Sequence, residues 1–248
     1  MNVEFLPLLA PIASSTPGAA PVVFVVDDDP SVRQSLEPLI RRSGYQPQTF
    51  ATAREFLSRQ RVAAPSCLVV EVALPDLNGL DLLERIAESR IGMPIIFISH
   101  DGDVPTAVRA MKAGAVEFLT KPFADAVLLD AIRGAIERSR VELAEEFELR
   151  QLRQDYASLS QREREVMALV AAGLLNKQVG AELGISEITV KAHRGKVMQK
   201  MQADSLADLV KIAARLRIAP IRRSRRYARP QVAFHQARPS YAAAAVAA

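Results

Sequence analysis

Three acidic side chains follow the first apolar run of the sequence. The run Val22 to Val26 ends at Asp27, Asp28 and Asp29, and a proline comes next. A short β-branched run is typical of a buried strand in a parallel sheet, and open α/β sheets bind ligands at the carboxyl ends of their strands. Adjacent carboxylates repel each other, and a hard cation such as Mg²⁺ relieves that repulsion. The alternative role for these carboxylates is to cap the helix that follows. Capping is sufficient to explain Asp29, and for Asp27 and Asp28 it is the alternative to cation binding.

Three more polar side chains are expected at the ends of later strands. Glu71 ends the third apolar run, Ser99 follows the fourth, and Lys121 with Pro122 follows the fifth. Because a parallel sheet brings the carboxyl ends of its strands to one edge, these groups should meet the aspartates there. A carboxylate, a hydroxyl and an ammonium around a cation site are the groups that phosphoryl chemistry uses. A structural ion pair is the alternative role for Lys121.

The elements that position these groups alternate along the chain up to residue 150. Short apolar runs alternate with amphipathic segments, which predicts five βα units around a parallel sheet. Strands are expected near residues 22–26, 46–50, 67–72, 94–98 and 116–119. Helices are expected near residues 31–43, 53–61, 79–89, 104–113 and 124–150, with Pro38 kinking the first helix or shifting its register.

The motifs of this half resemble those of a known family. The segments VVFVVDDD, LPDLNGLDLL, IIFIS and GDVPTAVRAMKAGAVEFLTKPF are similar to the receiver domain of bacterial two-component response regulators, especially the FixJ-like group. The resemblance implies a flavodoxin-like fold, Mg²⁺ held by Asp27 and Asp28, and Ser99 and Lys121 on the phosphoryl group. It also implies a switch role for the aromatic ring of Phe118 and a cis peptide bond before Pro122.

Glu71 departs from this pattern, because the family has its phosphoacceptor aspartate at that position. The glutamate is also the third member of the predicted metal set. Its extra methylene moves the carboxylate by more than about 1 Å, a misplacement that can cost ~100-fold in rate. Two hypotheses follow: Glu71 mimics the phosphorylated state, or the site is degenerate. We favour the mimic, since Asp27, Asp28, Ser99 and Lys121 are all retained.

From Leu159 the sequence predicts closely spaced helices and no strands. Two of them, joined through the tripeptide GIS, predict a helix-turn-helix, with Ser186 as N-cap of the second helix. The segment resembles the LuxR-type helix-turn-helix, so the whole chain resembles a FixJ/NarL-type response regulator. The resemblance implies helices at 176–183 and 186–201. Contacts to base edges are implied for Lys191 and Ala192, and contacts to phosphates for the polar residues Lys177, Thr189, Arg194 and Lys196. Gly195 offers no side chain where the family can use a basic one.

Charge and composition support two units with different partners. Residues 1–149 contain 14 Lys and Arg against 21 Asp and Glu, a net charge of −7, whereas residues 150–248 contain 18 against 7, a net charge of +11. A basic half suits a polyanion such as nucleic acid. The single cysteine, Cys67, excludes an internal disulfide framework, and no run reaches the roughly 20 apolar residues of a membrane span.

These observations predict a cytoplasmic, non-enzymatic transcription factor that dimerises, binds promoter DNA and has a sensor histidine kinase as its possible partner. Predicted segments are a disordered lead at 1–21, a receiver at 22–143, a helical linker at 144–157, the helix-turn-helix domain at 158–217 and a disordered tail at 218–248. A Mg²⁺-dependent phosphatase is the rival from another class, but it would need an aspartyl nucleophile at the end of the first strand and a substrate cap. A phosphorylation-independent interaction module is the third alternative, and the basic second helix speaks against it.

Overall fold

A five-stranded parallel sheet forms the first half of the protein. The structure is a computed structural model that describes residues 20–59, 62–88 and 92–218. The strand order is β2-β1-β3-β4-β5, and every neighbouring pair runs parallel. The strands are β1 (Val22–Val26), β2 (Gln46–Phe50), β3 (Ser66–Glu71), β4 (Ile95–Ser99) and β5 (Glu117–Thr120).

Nine helices lie in the part of the chain that the structure describes. Five follow the strands of the sheet: α1 (Pro30–Arg42), α2 (Ala53–Ser58), α3 (Gly79–Glu88), α4 (Val104–Lys112) and α5 (Asp125–Ala157). Four belong to the second half: α6 (Gln161–Ala171), α7 (Asn176–Leu183), α8 (Glu187–Lys200) and α9 (Leu206–Arg215). The chain divides into two compact units between Arg150 and Gln151, inside α5.

Both faces of the sheet are buried, which explains why its strands are continuously apolar. In β1, Phe24 packs with the side chains of α2, α3 and α4, whereas Val23 and Val25 pack with those of α1 and α5. A strand with helices on both faces has no position left for a polar residue until it ends. The polar groups of this unit therefore collect at the carboxyl edge of the sheet.

The strand boundaries set which side chains reach that edge. The third and fourth strands begin and end one residue away from the expected positions, so that Glu71 is the last residue of β3 and Ser99 the last of β4. Lys121 follows the end of β5 directly, and the peptide bond to Pro122 is cis. The predicted convergence of strand ends is confirmed.

Three helices can be compared with their predicted bounds. Helix α5 continues through the predicted helical linker to Ala157, so receiver and linker share one helix. Helix α1 runs from Pro30 to Arg42 and contains Pro38. Helix α2 ends at Ser58, where the backbone of Arg59 turns to an extended conformation.

The second unit closes around its own apolar core. Side chains from α6, α7, α8 and α9 form it, among them Met167, Val179, Val197 and Leu209. Ile218 packs against this core, so it belongs to the domain and not to the predicted tail. The rest of that tail and residues 1–19 of the predicted lead lie outside the described residues.

Candidate functional site

The ammonium of Lys121 bridges two buried carboxylates at the carboxyl edge of the sheet. Its Nζ lies 2.7 Å from Asp27 Oδ2 and 2.7 Å from Glu71 Oε2. All three side chains are nearly enclosed, with exposed fractions of 10% for Lys121, 1% for Asp27 and 5% for Glu71. The three charges sum to −1, and the cluster joins β1, β3 and the end of β5.

The remaining oxygens of these carboxylates also have donors. The backbone N–H of Asp29 donates to Asp27 Oδ1 over 2.9 Å, and that of Ala73 donates to Glu71 Oε1 over 3.3 Å. Nδ1 of the exposed His100 ring lies 3.6 Å from Glu71 Oε2. Each oxygen of the two buried carboxylates is thus already satisfied by the protein.

Burial and charge act in opposite directions on Lys121. Burial lowers the pKa of its ammonium, because a charged group loses water. The hydrogen bonds and negative charges of Asp27 and Glu71 outweigh this effect, and the net result is a raised pKa. Lys121 therefore stays charged and holds the two carboxylates together.

The predicted Mg²⁺ set is not assembled in this arrangement. Asp28 is exposed, while Lys121 lies between the other two members, Asp27 and Glu71. Among the described residues, no three His, Cys, Asp or Glu side chains lie close enough to hold a metal ion. The ammonium supplies the positive charge that the sequence had assigned to a cation, so a metal ion does not fit while Lys121 bridges the pair.

Asp29 caps a helix, as predicted. Its carboxylate accepts hydrogen bonds from the backbone N–H and the hydroxyl of Ser31, each over 2.7 Å, at the start of α1.

Ser99 and Phe118 lie at the same edge without touching Glu71. The Ser99 hydroxyl donates to the carbonyl of Asp101 over 3.1 Å and accepts from the N–H of the same residue over 3.2 Å. The half-buried ring of Phe118 lies 6.5 Å from that of Phe97. Of the predicted phosphoryl-pocket residues, only Lys121 pairs with the carboxylate of Glu71.

Two residues that sequence reasoning passed over shape this edge. A Cβ on Gly79 would lie 2.8 Å from the carbonyl oxygen of Glu71 and 3.0 Å from the ring of Phe97, so only glycine lets α3 start so close to the strand end. Asp76 accepts hydrogen bonds from the backbone of Ala53 and Arg54 at the start of α2. Both belong to the LPDLNG segment, whose density of turn-forming residues was the available signal.

In the second unit, the joint between α7 and α8 is tightly built. Gly184 adopts a left-handed conformation with φ of 68°, which closes α7. The hydroxyl of Ser186 caps α8 by accepting from the N–H of Thr189 over 3.1 Å, as the sequence predicted. A Cβ on Gly180 would lie 2.7 Å from the carbonyl oxygen of Ile185, so α7 and the turn pack backbone to backbone.

Most of the predicted DNA-contacting residues are exposed. Five are exposed on α7 and α8, namely Lys177, Thr189, Lys191, Ala192 and Lys196, whereas Arg194 is half-buried. Three of the six have a partner within the protein: the Thr189 hydroxyl lies 2.8 Å from that of Ser186, Lys191 Nζ lies 3.9 Å from Glu187 Oε1, and Arg194 donates to Asn176 over 3.3 Å. Arg194 therefore ties the two helices together.

Two family matches coincide with the two units. Residues 23–133 match the response regulator receiver domain, and residues 157–213 match the bacterial regulatory proteins of the luxR family. Nodulation protein W of Bradyrhizobium diazoefficiens is 50% identical over 80% of this chain and 87% of its own length. The chain is a response regulator with a LuxR-type DNA-binding domain.

Other relatives of this response regulator have the same organisation. Response regulator protein TodT of Pseudomonas putida is 42% identical over 80% of this chain and 87% of its own length. Transcriptional regulatory protein FixJ of Rhizobium meliloti is 40% identical over 77% and 94%. The solved structure of response regulator StyR covers 79% of this chain and 99% of its own, with 45% identity and a TM-score of 0.70. In the described part of this response regulator, no helix is both long and apolar enough to cross a membrane.

Proposed function

We propose that this response regulator controls dimerisation and promoter binding without phosphoryl transfer, because Glu71 permanently carries the negative charge that phosphorylation would otherwise supply. The observation that carries the proposal is the 2.7 Å contact between Glu71 Oε2 and the ammonium of Lys121 inside a nearly enclosed cluster. The carboxylate thereby engages the lysine that the family resemblance assigns to the phosphoryl group.

The same contacts speak against ordinary phosphorylation of Glu71. The two oxygens of Glu71 accept from Lys121 and from the N–H of Ala73, so attack on a phosphoryl donor would have to reorganise a buried ion pair. The longer side chain also moves the reactive oxygen away from the position that an aspartate would give it. A histidine kinase is therefore not required for the basal DNA binding of this protein.

Glu71 can mimic a phosphorylated aspartate only in part, and Ser99 is the pocket residue that shows this. A phosphoaspartate carries close to two negative charges and three acceptor oxygens, whereas a glutamate carries one charge and two oxygens. Ser99 stays with the backbone of Asp101. Partial mimicry is still sufficient to favour the active state of the receiver, since about 1.4 kcal/mol changes the ratio of active to inactive molecules tenfold.

In this proposal the protein acts in the cytoplasm, where it binds DNA as a homodimer. Phosphate contacts are assigned to the exposed cations Lys177 and Lys196, and base-edge contacts to the exposed Lys191 and Ala192 on α8. Arg194 and Thr189 are also assigned to phosphates, and each makes one further contact within the protein, to Asn176 and to Ser186 respectively. Neither a catalytic group nor a substrate cap is assigned, which leaves the phosphatase alternative without support.

Substitution of Glu71 in the full-length chain tests the proposal. The probe is a duplex selected from a randomised library by the parent protein, with affinity measured by fluorescence anisotropy and association by sedimentation velocity. Glu71→Gln should weaken both DNA binding and dimerisation and remain insensitive to acetyl phosphate with Mg²⁺. Glu71→Asp should also weaken basal binding, but acetyl phosphate with Mg²⁺ should restore it.

Glu137→Gln serves as the matched control, because it removes an exposed carboxylate from the same unit and should change nothing. Parental binding and dimerisation by Glu71→Gln would mean that the carboxylate is not a switch and that the site is degenerate.

A further inference from the structure

One exposed stripe along the first half of α8 has a single long polar side chain, that of Lys191, although exposed polar residues such as Thr189 and Lys196 flank it. Residues three, four and seven positions apart share a helix face, which aligns Ile188, Lys191, Ala192 and Gly195. All four are exposed, and we call them the groove stripe. The opposite face carries Val190 and Val197, which are completely buried in the core of the second unit.

Ile188 is the unusual member of the groove stripe. Its side chain is 80% exposed, more than any other large apolar side chain in the part of the chain that the structure describes. The start of α8 needs no help from it, since Ser186 and Thr189 make the cap. Single exposed apolar residues are common on protein surfaces, so the position of Ile188 on α8 has to carry the argument.

That position is the first turn of the second helix in a helix-turn-helix. In this motif the second helix lies in the major groove, and its N-terminal residues contact the edges of bases. The thymine C5-methyl group is the apolar feature of the major groove, and aliphatic side chains pack against it. An exposed isoleucine at this point of α8 has the chemistry for that contact.

The rest of the groove stripe favours close approach over hydrogen bonding. A Cβ on Gly195 would meet no atom of the protein within 4 Å, so the space above it is open. Ala192 adds one methyl group, and Lys191, the only long polar side chain of the stripe, lies 3.9 Å from Glu187 on its own helix. With few side-chain hydrogen-bond donors or acceptors, the stripe is suited to reading base edges by shape and methyl contact.

We propose that Ile188 is a specificity-determining residue that packs against the C5-methyl group of a thymine in each half-site. The inference rests on the proposed role of α8 as the helix that enters the major groove. In this proposal, apolar contacts are the main means by which the protein distinguishes one DNA sequence from another. The lysines supply affinity that does not depend on the sequence.

Replacement of thymine by deoxyuridine tests this contact, because the change removes only the methyl group. Full-length protein first selects duplexes from a randomised library, and each thymine of the selected site is then replaced in turn. For the parent protein, one thymine per half-site should show a loss of about three- to fivefold in affinity, the value for one buried methyl-sized group. Ile188→Ala should bind the thymine duplex more weakly and lose this dependence, whereas Ile188→Val should keep most of it.

Leu175→Ala is the matched control. Leu175 is also apolar and 71% exposed, but it lies at the N-cap of α7 and outside the groove stripe, so its substitution should leave the thymine dependence intact. Three results would each overturn the proposal. The first is that the selected sites contain no invariant thymine, the second is that the parent protein binds deoxyuridine duplexes as well as thymine duplexes, and the third is that Ile188→Ala depends on the thymine methyl group as strongly as the parent does.

Failure of the receiver hypothesis is distinguishable in the same assay. Glu71→Gln should bind more weakly than the parent but keep the same thymine dependence, because the substitution lies outside the DNA-binding unit. Lys191→Glu should weaken binding to every duplex, since it places a negative charge on the face of α8 that meets the polyanion. Unchanged binding by Lys191→Glu would remove α8 from the major groove and the proposal for Ile188 with it.

Discussion

At the residue scale, a single ammonium keeps two buried carboxylates together. Lys121 approaches Asp27 and Glu71 equally closely, and the exposed fraction of the two acids does not exceed 5%. The net contribution of a buried ion pair to stability is small, but removal of one partner leaves an uncompensated charge. The stability of the receiver is therefore expected to depend on Lys121 more than on an average lysine.

Lys121→Met tests this dependence while keeping the apolar stem of the side chain. We expect a loss of about 3–5 kcal/mol in the free energy of unfolding in the presence of EDTA. Millimolar Mg²⁺ should restore part of it, because a cation that binds only the folded state stabilises by mass action. Urea denaturation followed by circular dichroism measures both effects. The exposed Lys112 provides the control Lys112→Met, and equal stability of the two variants in EDTA would contradict the expectation.

At the scale of elements, a buried carboxylate ties α6 to the end of α8. Glu163 accepts from Lys200 over 2.7 Å, and its side chain also closes the capping box by accepting from the N–H of Ser160 over 2.8 Å. The hydrogen bond from Lys200, followed by that from Ser160, lowers the pKa of Glu163 to about 2. This tie holds the second helix of the helix-turn-helix against its support.

The lowered pKa predicts how the DNA-binding unit responds to acid. A carboxylate with a lower pKa in the folded state contributes its full stability above its usual value of 4.5 and loses it as the pH falls towards about 2. Glu163→Gln keeps a capping side chain but removes the charge, so it should be less stable than the parent at pH 6. That difference should shrink between pH 4.5 and pH 2.

Urea denaturation of residues 151–218 at a series of pH values measures this difference. Glu165→Gln, which removes a more exposed carboxylate from the same helix, should show a much smaller pH dependence. A stability difference between the parent and Glu163→Gln that is constant over this range would mean that the Lys200 contact does not act through charge.

At the scale of the whole molecule, the proposed dimerisation would link the receiver to DNA binding. Helix-turn-helix dimers bind half-sites about one helical turn apart, so a second copy must be held in register. We propose that the receiver associates through the surface around α4 and β5. In the structure α4 exposes three large apolar side chains on this surface, Val104, Val108 and Met111.

Val108→Asp is expected to weaken dimerisation and, with it, binding to a two-half-site duplex, while binding to a single half-site should be unaffected. The reason is that the aspartate brings a charge into an apolar contact. Sedimentation velocity of the full-length protein with and without DNA measures the assembly state. Val127→Asp makes the same substitution at a similarly exposed position of α5 and serves as the control. A parent protein that stays monomeric on saturated DNA would contradict the prediction.

The sequence by itself determined the fold of each unit and which residues meet at the receiver site. Continuous apolar strands that end in polar residues are possible only in a sheet covered on both faces, and parallel strands bring those ends to one edge. This reasoning was sufficient to bring Asp27, Glu71, Ser99 and Lys121 together. In the second unit, the resemblance to the LuxR-type helix-turn-helix implied the bounds of α7 and α8 to within one residue, and Ser186 was predicted as the N-cap of α8.

The tertiary structure decided which of these groups pair with each other. The sequence predicted a cation site of three acids, but the reach of Lys121 from the end of β5 satisfies Asp27 and Glu71 together and leaves Asp28 outside. Ser99 bonds to the backbone of Asp101, and Arg194 bonds to Asn176. Strand ends are positioned by periodicity that the sequence contains, whereas hydrogen bonds and ion pairs depend on donor–acceptor distances near 3 Å between residues far apart in the chain. Those distances, and the competition between possible partners, exist only once the chain is folded.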